Sequence, residues 1–313
     1  MTGDNREPVA VVTGGSRGVG RGIAIALGSH GCTVYVTGRS QSTGRSDLPG
    51  TIHETAAAVT AAGGRGIAIA CDHADDAQTK AVFEQIERAE GRLDILVNNA
   101  AKVDDAMLEP GVFWEKPLEL VDLLDVGLRS AYVCSYYAAP MMVRRGQGLI
   151  VFTGSQAGVC YMLGPVYGAH KAGEDKFAAD MGFELKPHGV ATICVWCGAV
   201  LTDRLKQLMA ADPVKFGGLA DRCETPEFTG HVIWALYNDP DLMELSGRSV
   251  IGAEMAAAYG ITDAGGRRPP SMRETMGVAP RRQPQPGEIR DADDKDPEPA
   301  RDVRTWSPSR PTR

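Results

Sequence analysis

The sequence predicts an α/β fold, a doubly wound arrangement around a seven-stranded parallel sheet, and three observations lead there. Short β-rich apolar runs alternate with longer stretches of helical spacing, the pattern of βαβ units. A glycine-rich turn, Thr13-Gly14-Gly15-Ser16-Arg17-Gly18-Val19-Gly20, separates the first run from the first helical stretch. At 313 residues and 43% hydrophobic, the chain can bury a core without disulfide or metal staples.

Strands are expected at Val9 to Thr13, Thr33 to Thr37, Gly66 to Cys71, Leu93 to Asn98, Leu149 to Thr153, Ala191 to Trp196 and Ser249 to Gly252. These runs are short and strongly apolar, as strands covered on both faces are. After the glycine turn, Val19, Ile23 and Leu27 recur at i, i+4 and i+8 and form one helical stripe; after Pro117, Val121, Leu124, Leu128 and Ala131 form another. Right-handed crossovers then gather ligands beyond the C-terminal strand ends, where the strand order reverses.

Residues 1–266 are expected to make one domain. Residues 267–313 hold nine of the 19 prolines, 11 Lys and Arg, eight Asp and Glu, and almost no large apolar side chain. Such a segment cannot offset its ordering entropy by burial, so it reads as a disordered tail. Within a total charge of −7, the body's 22 basic and 32 acidic residues leave it near −10. That field opposes a phosphate backbone and argues against nucleic acid as a partner. Seven scattered cysteines, an odd number, fit a reduced compartment, with the cytoplasm expected. Met1 to Pro8 is polar and no run approaches the roughly 18 apolar residues of a span, so neither signal peptide nor membrane anchor is expected.

The glycine turn allows backbone N–H groups to approach a pyrophosphate at a helix N-terminus, which makes Gly14, Ser16, Arg17, Gly18, Val19 and Gly20 candidate dinucleotide-binding residues. An ordinary glycine-rich turn is the competing reading. At the end of the second strand, Val36-Thr37-Gly38-Arg39 lacks the carboxylate that would bind the free 2′-hydroxyl of NAD. Arg39 and Arg17 can instead clamp a 2′-phosphate, so NADP is favoured over NAD, unless Arg39 is only a solvated charge. Asp72, past the third strand, is placed to meet the adenine, and Asn98-Asn99-Ala100-Ala101 ends the fourth with amides that can tie neighbouring loops together.

Tyr167 and Lys171 lie four apart in a helical stretch and share a face. An ammonium beside a phenol favours phenolate, so the pair can act as general acid and base. Ser155, in Thr153-Gly154-Ser155-Gln156-Ala157-Gly158 directly after the fifth strand, reaches the same rim, where its hydroxyl can hydrogen-bond a substrate carbonyl. Taken alone, Tyr-x-x-x-Lys is more often a surface helix pair; the serine and the glycine turn set it apart.

In this order the motifs resemble the short-chain dehydrogenase/reductase family over roughly residues 7 to 265. The resemblance implies a Rossmann enzyme in which Tyr167 exchanges a proton with the substrate oxygen, Ser155 polarises that oxygen, and Lys171 holds the nicotinamide ribose. Cys197-Gly198-Ala199-Val200-Leu201-Thr202 is similar to the family's P-G-x-V-x-T segment, which places Gly198, Val200 and Thr202 at the nicotinamide, with Asn99 and Ala100 beside the cofactor. Cysteine stands where proline is usual, and a less rigid loop is expected. Phe113-Trp114-Glu115, Val126-Gly127-Leu128-Arg129, Gly146-Gln147-Gly148-Leu149-Ile150 and Tyr259-Gly260 resemble one branch of the family and imply reduction of a lipophilic ketone, aldehyde or steroid-like carbonyl, or oxidation of the alcohol. By the same resemblance the chain is expected to form a homodimer or homotetramer.

Gly127 departs from the family, which usually has an asparagine there to complete a proton relay with Lys171. A kink turning a backbone carbonyl toward Lys171, with a water in the space of the missing amide, is expected to replace it. Gly127→Asn is then expected to keep most activity. A non-catalytic dinucleotide-binding regulator or scaffold is the competing functional class. Cys194-x-x-Cys197 has no second pair beside it and the six histidines show no ligand spacing, so no metal is expected. Asp104-Asp105 reads as a solvated face. Two loops, Lys102 to Pro117 and Leu201 to Thr225, carry Met107, Leu108, Phe113, Trp114, Leu205, Leu208, Met209 and Phe216, which suit either a substrate lid or core contacts.

Overall fold

The computed structural model describes residues 7–42, 48–214, 216 and 218–284. The chain divides into two units, residues 1–283 and residues 284–313. Of the tail expected over residues 267–313, the part beyond residue 284 lies outside the described residues. The body runs past the expected limit of residue 266, because Met272 joins the core and the Arg273 guanidinium and Ser271 hydroxyl bind Glu254.

Seven strands form: β1 (Val9–Val12), β2 (Thr33–Gly38), β3 (Arg65–Ala70), β4 (Ile95–Asn98), β5 (Gly148–Gly154), β6 (Val190–Trp196) and β7 (Arg248–Ile251). Every pairing is parallel and the order is β3-β2-β1-β4-β5-β6-β7. The chain winds outward from β1 to β3, returns to β4, and continues outward to β7. The order therefore reverses between β1 and β4, where a crevice opens beyond the strand ends.

Along each central strand, alternate residues enter opposite cores. Val9, Val11, Leu96, Ile150 and Phe152 pack with α3 (Asp76–Glu90), α4 (Ser130–Arg145) and α5 (Pro165–Leu185). Ala10, Val12, Ile95, Val97 and Val151 pack on the other face with α1 (Gly18–Ser29), α2 (Ile52–Ala61) and α7 (Phe228–Tyr237). Both cores are needed to bury apolar runs of this kind. In α1 the predicted stripe holds: Ile23 and Leu27 are fully buried, each worth roughly 1.5–3 kcal/mol. The shorter helices α6 (Asp203–Ala211), α8 (Leu242–Leu245), α9 (Gly252–Ala258) and α10 (Met272–Met276) complete the body. No helix among the described residues is long and apolar enough to cross a membrane.

The second stripe is not one helix. A 3₁₀ turn covers Leu118–Val121, a widened turn follows at Leu124–Arg129, and α4 begins only at Ser130. Val126 and Gly127 leave helical geometry, Val121 is exposed, and Leu123 is buried in place of Leu124.

Candidate active site

Thr13, just past β1, starts the loop that leads into α1. Gly14 has φ +64°, and a Cβ there would stand 2.7 Å from the Ala100 Cα. A Cβ on Gly20 would stand 2.4 Å from the Asn99 amide nitrogen. Only glycine allows β4 and α1 to approach this closely. The contact is then stitched: Thr13 Oγ1 accepts from the N–H groups of Asn99 (2.9 Å) and Ala100 (3.0 Å), while Asn99 Nδ2 donates to Thr13 O (2.8 Å). The first turn of α1 carries no acidic side chain, so its positive dipole end faces the crevice without a local countercharge.

The crevice is a cleft of about 950 Å³. It brings together every sequence-predicted site residue: Gly14, Ser16, Arg17, Gly18, Val19, Gly20, Arg39, Asp72, Asn99, Ala100, Ser155, Tyr167, Lys171, Gly198, Val200 and Thr202. At its β2 end, Arg17 donates to Leu48 O (3.0 Å) and Ser40 Oγ (2.8 Å), and Arg39 lies 3.7 Å from the Asp72 carboxylate. Burial and then the Arg204 charge push the Arg17 pKa down. Three guanidinium groups thus reach this cleft, because Arg204 also lines it. Arg204 Nη1 donates to Asp105 Oδ1 at 2.7 Å, so the carboxylate expected to be merely solvated connects the two variable loops. Met107 is buried, whereas Phe113 and Trp114 are exposed as an edge-to-face pair with ring centres 5.1 Å apart.

Pro165 starts α5, and the helix lays Tyr167, His170, Lys171 and Glu174 along one side. Lys171 is buried, with its Nζ 5.7 Å from the centre of the Tyr167 ring. It donates to Thr153 O at 2.7 Å and to Glu174 Oε2 at 2.9 Å. Burial pulls the Lys171 pKa down, but the Glu174 charge and then the Tyr167 oxygen outweigh it, so the net direction is up. Ser155 Oγ accepts from Ala157 N at 3.3 Å; its own proton is not used in that contact and can be donated into the cleft.

The break in the helix before α4 is present at Gly127 as expected, but its neighbour is different. A Cβ on Gly127 would stand 3.0 Å from His170 Nε2 and 3.2 Å from Cε1, so an imidazole fills the space assigned to an amide and a water. The Val126 carbonyl accepts from Lys102 N (2.8 Å), and Lys171 takes Thr153 and Glu174 as its partners. Gly127→Asn, expected from sequence to be tolerated, is therefore expected to crowd the ring. His170 and Glu174 were missed because a charged pair four apart on a helix reads as solvated; their flanking of Lys171 was the available signal.

Glu224, also missed, locks the loop from Cys197 to Thr202. Its N–H donates to Ala199 O and its carbonyl accepts from Leu201 N, both at 2.9 Å. Cys197 N donates to Gly154 O at 3.1 Å, a bond that proline in its place could not make. The loop is consequently pinned on both sides, contrary to the expectation of lower rigidity. Glu224 Oε1 accepts from Thr229 at 3.1 Å, while Oε2 is buried without a partner. Burial pushes the Glu224 pKa up to about 7, the Thr229 hydrogen bond opposing it. An acid with a raised folded pKa stabilises most below its unfolded pKa, and that contribution is lost as pH rises through the folded one. The Glu224 contribution is therefore expected to fall between about pH 4.5 and 7, against the opposite slope of His73, whose pKa burial lowers to about 4. The melting temperature of Glu224→Gln should accordingly gain on that of wild type as pH rises through this window, and a difference that does not change with pH would remove Glu224 as a contributor.

Comparison with known proteins agrees with this geometry. The short chain dehydrogenase family model matches residues 8–213. The chain is 39% identical over 278 residues to mouse Dehydrogenase/reductase SDR family member 1, covering 85% of this chain and 86% of that protein. It is 40% identical over 270 residues to the human protein of that name, covering 83% and 84%. A solved short chain dehydrogenase from Mycobacterium thermoresistibile superposes with TM-score 0.70 at 26% identity, covering 85% of this chain and 92% of that one. The chain belongs to the short-chain dehydrogenase/reductase family and is an NAD(P)-dependent oxidoreductase.

Proposed function

We propose that the protein is an NADP-dependent carbonyl reductase in which Tyr167, Ser155 and Lys171 carry the proton chemistry. The observation that supports this reading best is one cleft lined by the phenol, its buried lysine and the serine together with Arg17 and Arg39 at the β2 end. The donor set fits an anionic dinucleotide. Gly14, Ser16, Arg17, Gly18, Val19 and Gly20 would face the pyrophosphate with the N-terminus of α1 behind them. Arg17 and Arg39 would hold the 2′-phosphate, Asp72 would meet the adenine, and Asn99 and Ala100 would shape the middle of the cleft. Gly198, Val200 and Thr202 would take the nicotinamide amide, on a loop that Glu224 pins.

When bound, the cofactor supplies the hydride. The chain's own residues do the rest: Ser155 donates to the substrate oxygen, Tyr167 delivers a proton to that oxygen, and Lys171 holds the ribose hydroxyls and orients the phenol. The substrate is a lipophilic ketone or aldehyde, entering between the loops that Asp105 and Arg204 bridge. Seven free cysteines suit a cytoplasmic setting. Exposed Tyr132 and Tyr136 on α4 and Phe183 on α5 offer apolar faces to a second copy, which supports a homodimer or homotetramer.

Fluorescence titration with both cofactors tests the nucleotide preference. NADPH should bind more tightly than NADH, and Arg39→Asp should cost NADPH about tenfold or more through loss of a cation and gain of a repelling anion. Equal affinities in the wild type, or an unchanged preference in the variant, would refute the assignment to NADP.

A further inference from the structure

The charged groups beneath Tyr167 do not sum to the simple cation that Tyr-x-x-x-Lys suggests. Glu174, one turn beyond Lys171, is buried, and its Oε2 accepts from the Lys171 ammonium at 2.9 Å. Its other oxygen, Oε1, lies 3.2 Å from His170 Nε2 without the alignment of a hydrogen bond, and both His170 ring nitrogens are buried with no partner. The imidazole is wedged between this carboxylate and Gly127, where a Cβ would come within 3.0 Å of the ring.

We propose that Glu174 is a positioning residue that acts through Lys171: its carboxylate fixes the ammonium beneath the ribose site and offsets part of the charge that Lys171 presents to the Tyr167 phenol. His170 keeps the carboxylate in place by filling the volume behind it, so a side chain at position 127 would press on the ring. The inference rests on the proposed role of Tyr167 as proton donor.

The charge states follow from the surroundings. Burial would raise the Glu174 pKa, but the Lys171 charge, first among the opposing causes, outweighs it and holds Glu174 below the usual carboxylate range. Burial and then the Lys171 charge depress the His170 pKa and favour its neutral form. The other groups facing Glu174 are Asp175 on its own helix and, from the end of β6, Cys194 and Cys197. Burial raises both thiols, Cys197 to about 12 and Cys194 well above its ordinary value, so neither adds an anion near neutral pH. Burial likewise raises Asp175, whose Oδ1 accepts from Trp196 and Ser249. The Lys171–Glu174 ion pair reaches the phenol directly, through the Lys171 Nζ 5.7 Å from the ring centre. In a medium of effective dielectric about 20, one unit charge at roughly 10 Å shifts a titration by about one pH unit.

The test is the ultraviolet phenolate titration of Tyr167 in the full chain, isolated as the difference between each protein and its Tyr167→Phe counterpart. Glu174→Gln should lower the Tyr167 midpoint by about one pH unit relative to wild type, and Glu174→Asp should return it most of the way. Where Glu174→Gln does not fold, Glu174→Leu fills the same volume without charge and should give the same downward shift. A midpoint that stays within a few tenths of a unit in the neutral variant would overturn the proposal. The readout needs no turnover. If the shift appears but no carbonyl is reduced by NADPH, the electrostatic inference stands and the assigned reaction fails. If carbonyls are reduced but the midpoint does not move, the reverse holds.

Discussion

Tyr167→Phe is expected to slow carbonyl reduction by roughly 10² to 10⁴ while leaving NADPH binding within a few-fold of wild type, because it removes the proton donor and nothing else. The phenylalanine retains the ring, so the cleft wall and the contact with Lys171, whose ammonium sits 5.7 Å from the ring centre, keep their shape. Steady-state turnover alongside a fluorescence binding curve separates the two effects. Retained turnover would mean that another group delivers the proton. A parallel collapse of NADPH affinity would mean that the phenol serves mainly to bind.

Gly127→Leu is expected to have the second large effect. The leucine Cβ would begin 3.0 to 3.3 Å from three atoms of the His170 ring, and the rest of the side chain has to displace an imidazole that is fully buried. Overpacking of this kind costs about 1 to 3 kcal/mol, and here the displaced ring presses on Glu174 and through it on Lys171. Urea unfolding should show the loss of stability, and turnover should fall more than NADPH affinity. Gly127→Asn should show the same effects in milder form, and adding His170→Ala should recover part of the stability. Normal stability in Gly127→Leu would contradict the packing described for this corner. Separate, additive effects of the two positions would show that they are not coupled.

The strands were legible because a parallel strand covered on both faces must be apolar almost throughout, and Val9 to Val12 and Leu149 to Val151 are. Their ends moved by one or two residues, since hydrogen-bond pairing rather than hydrophobicity decides where a strand stops. The stripe from Val121 to Ala131 misled for a different reason. Its break at Val126 and Gly127 coincides with contact with His170, which lies far along the sequence in another helix, and periodicity within one segment cannot report such a neighbour. The limit of the body was misplaced because Met272 is one apolar side chain in a proline- and arginine-rich stretch, and composition averages it away.

The candidate site was readable to the extent that it lies at strand ends. Gly14, Arg39, Asp72, Asn99, Ser155 and Gly198 each follow closely on a strand, so the topology alone carries them to one rim. His170, Glu174 and Glu224 were not readable in this way. Each is a polar residue whose importance lies in its burial, and burial is a property of the packed molecule.

The most direct test of the account follows the hydride itself. The wild-type protein is incubated with NADPH deuterated at both C4 positions and a panel of aromatic and cyclic ketones and aldehydes, and the alcohols are examined by mass spectrometry. The expected product is an alcohol carrying one deuterium on the former carbonyl carbon, formed by the wild type and lost with Tyr167→Phe. Binding of NADPH without deuterium transfer to any member of the panel would contradict that expectation and leave a dinucleotide-binding protein of another kind.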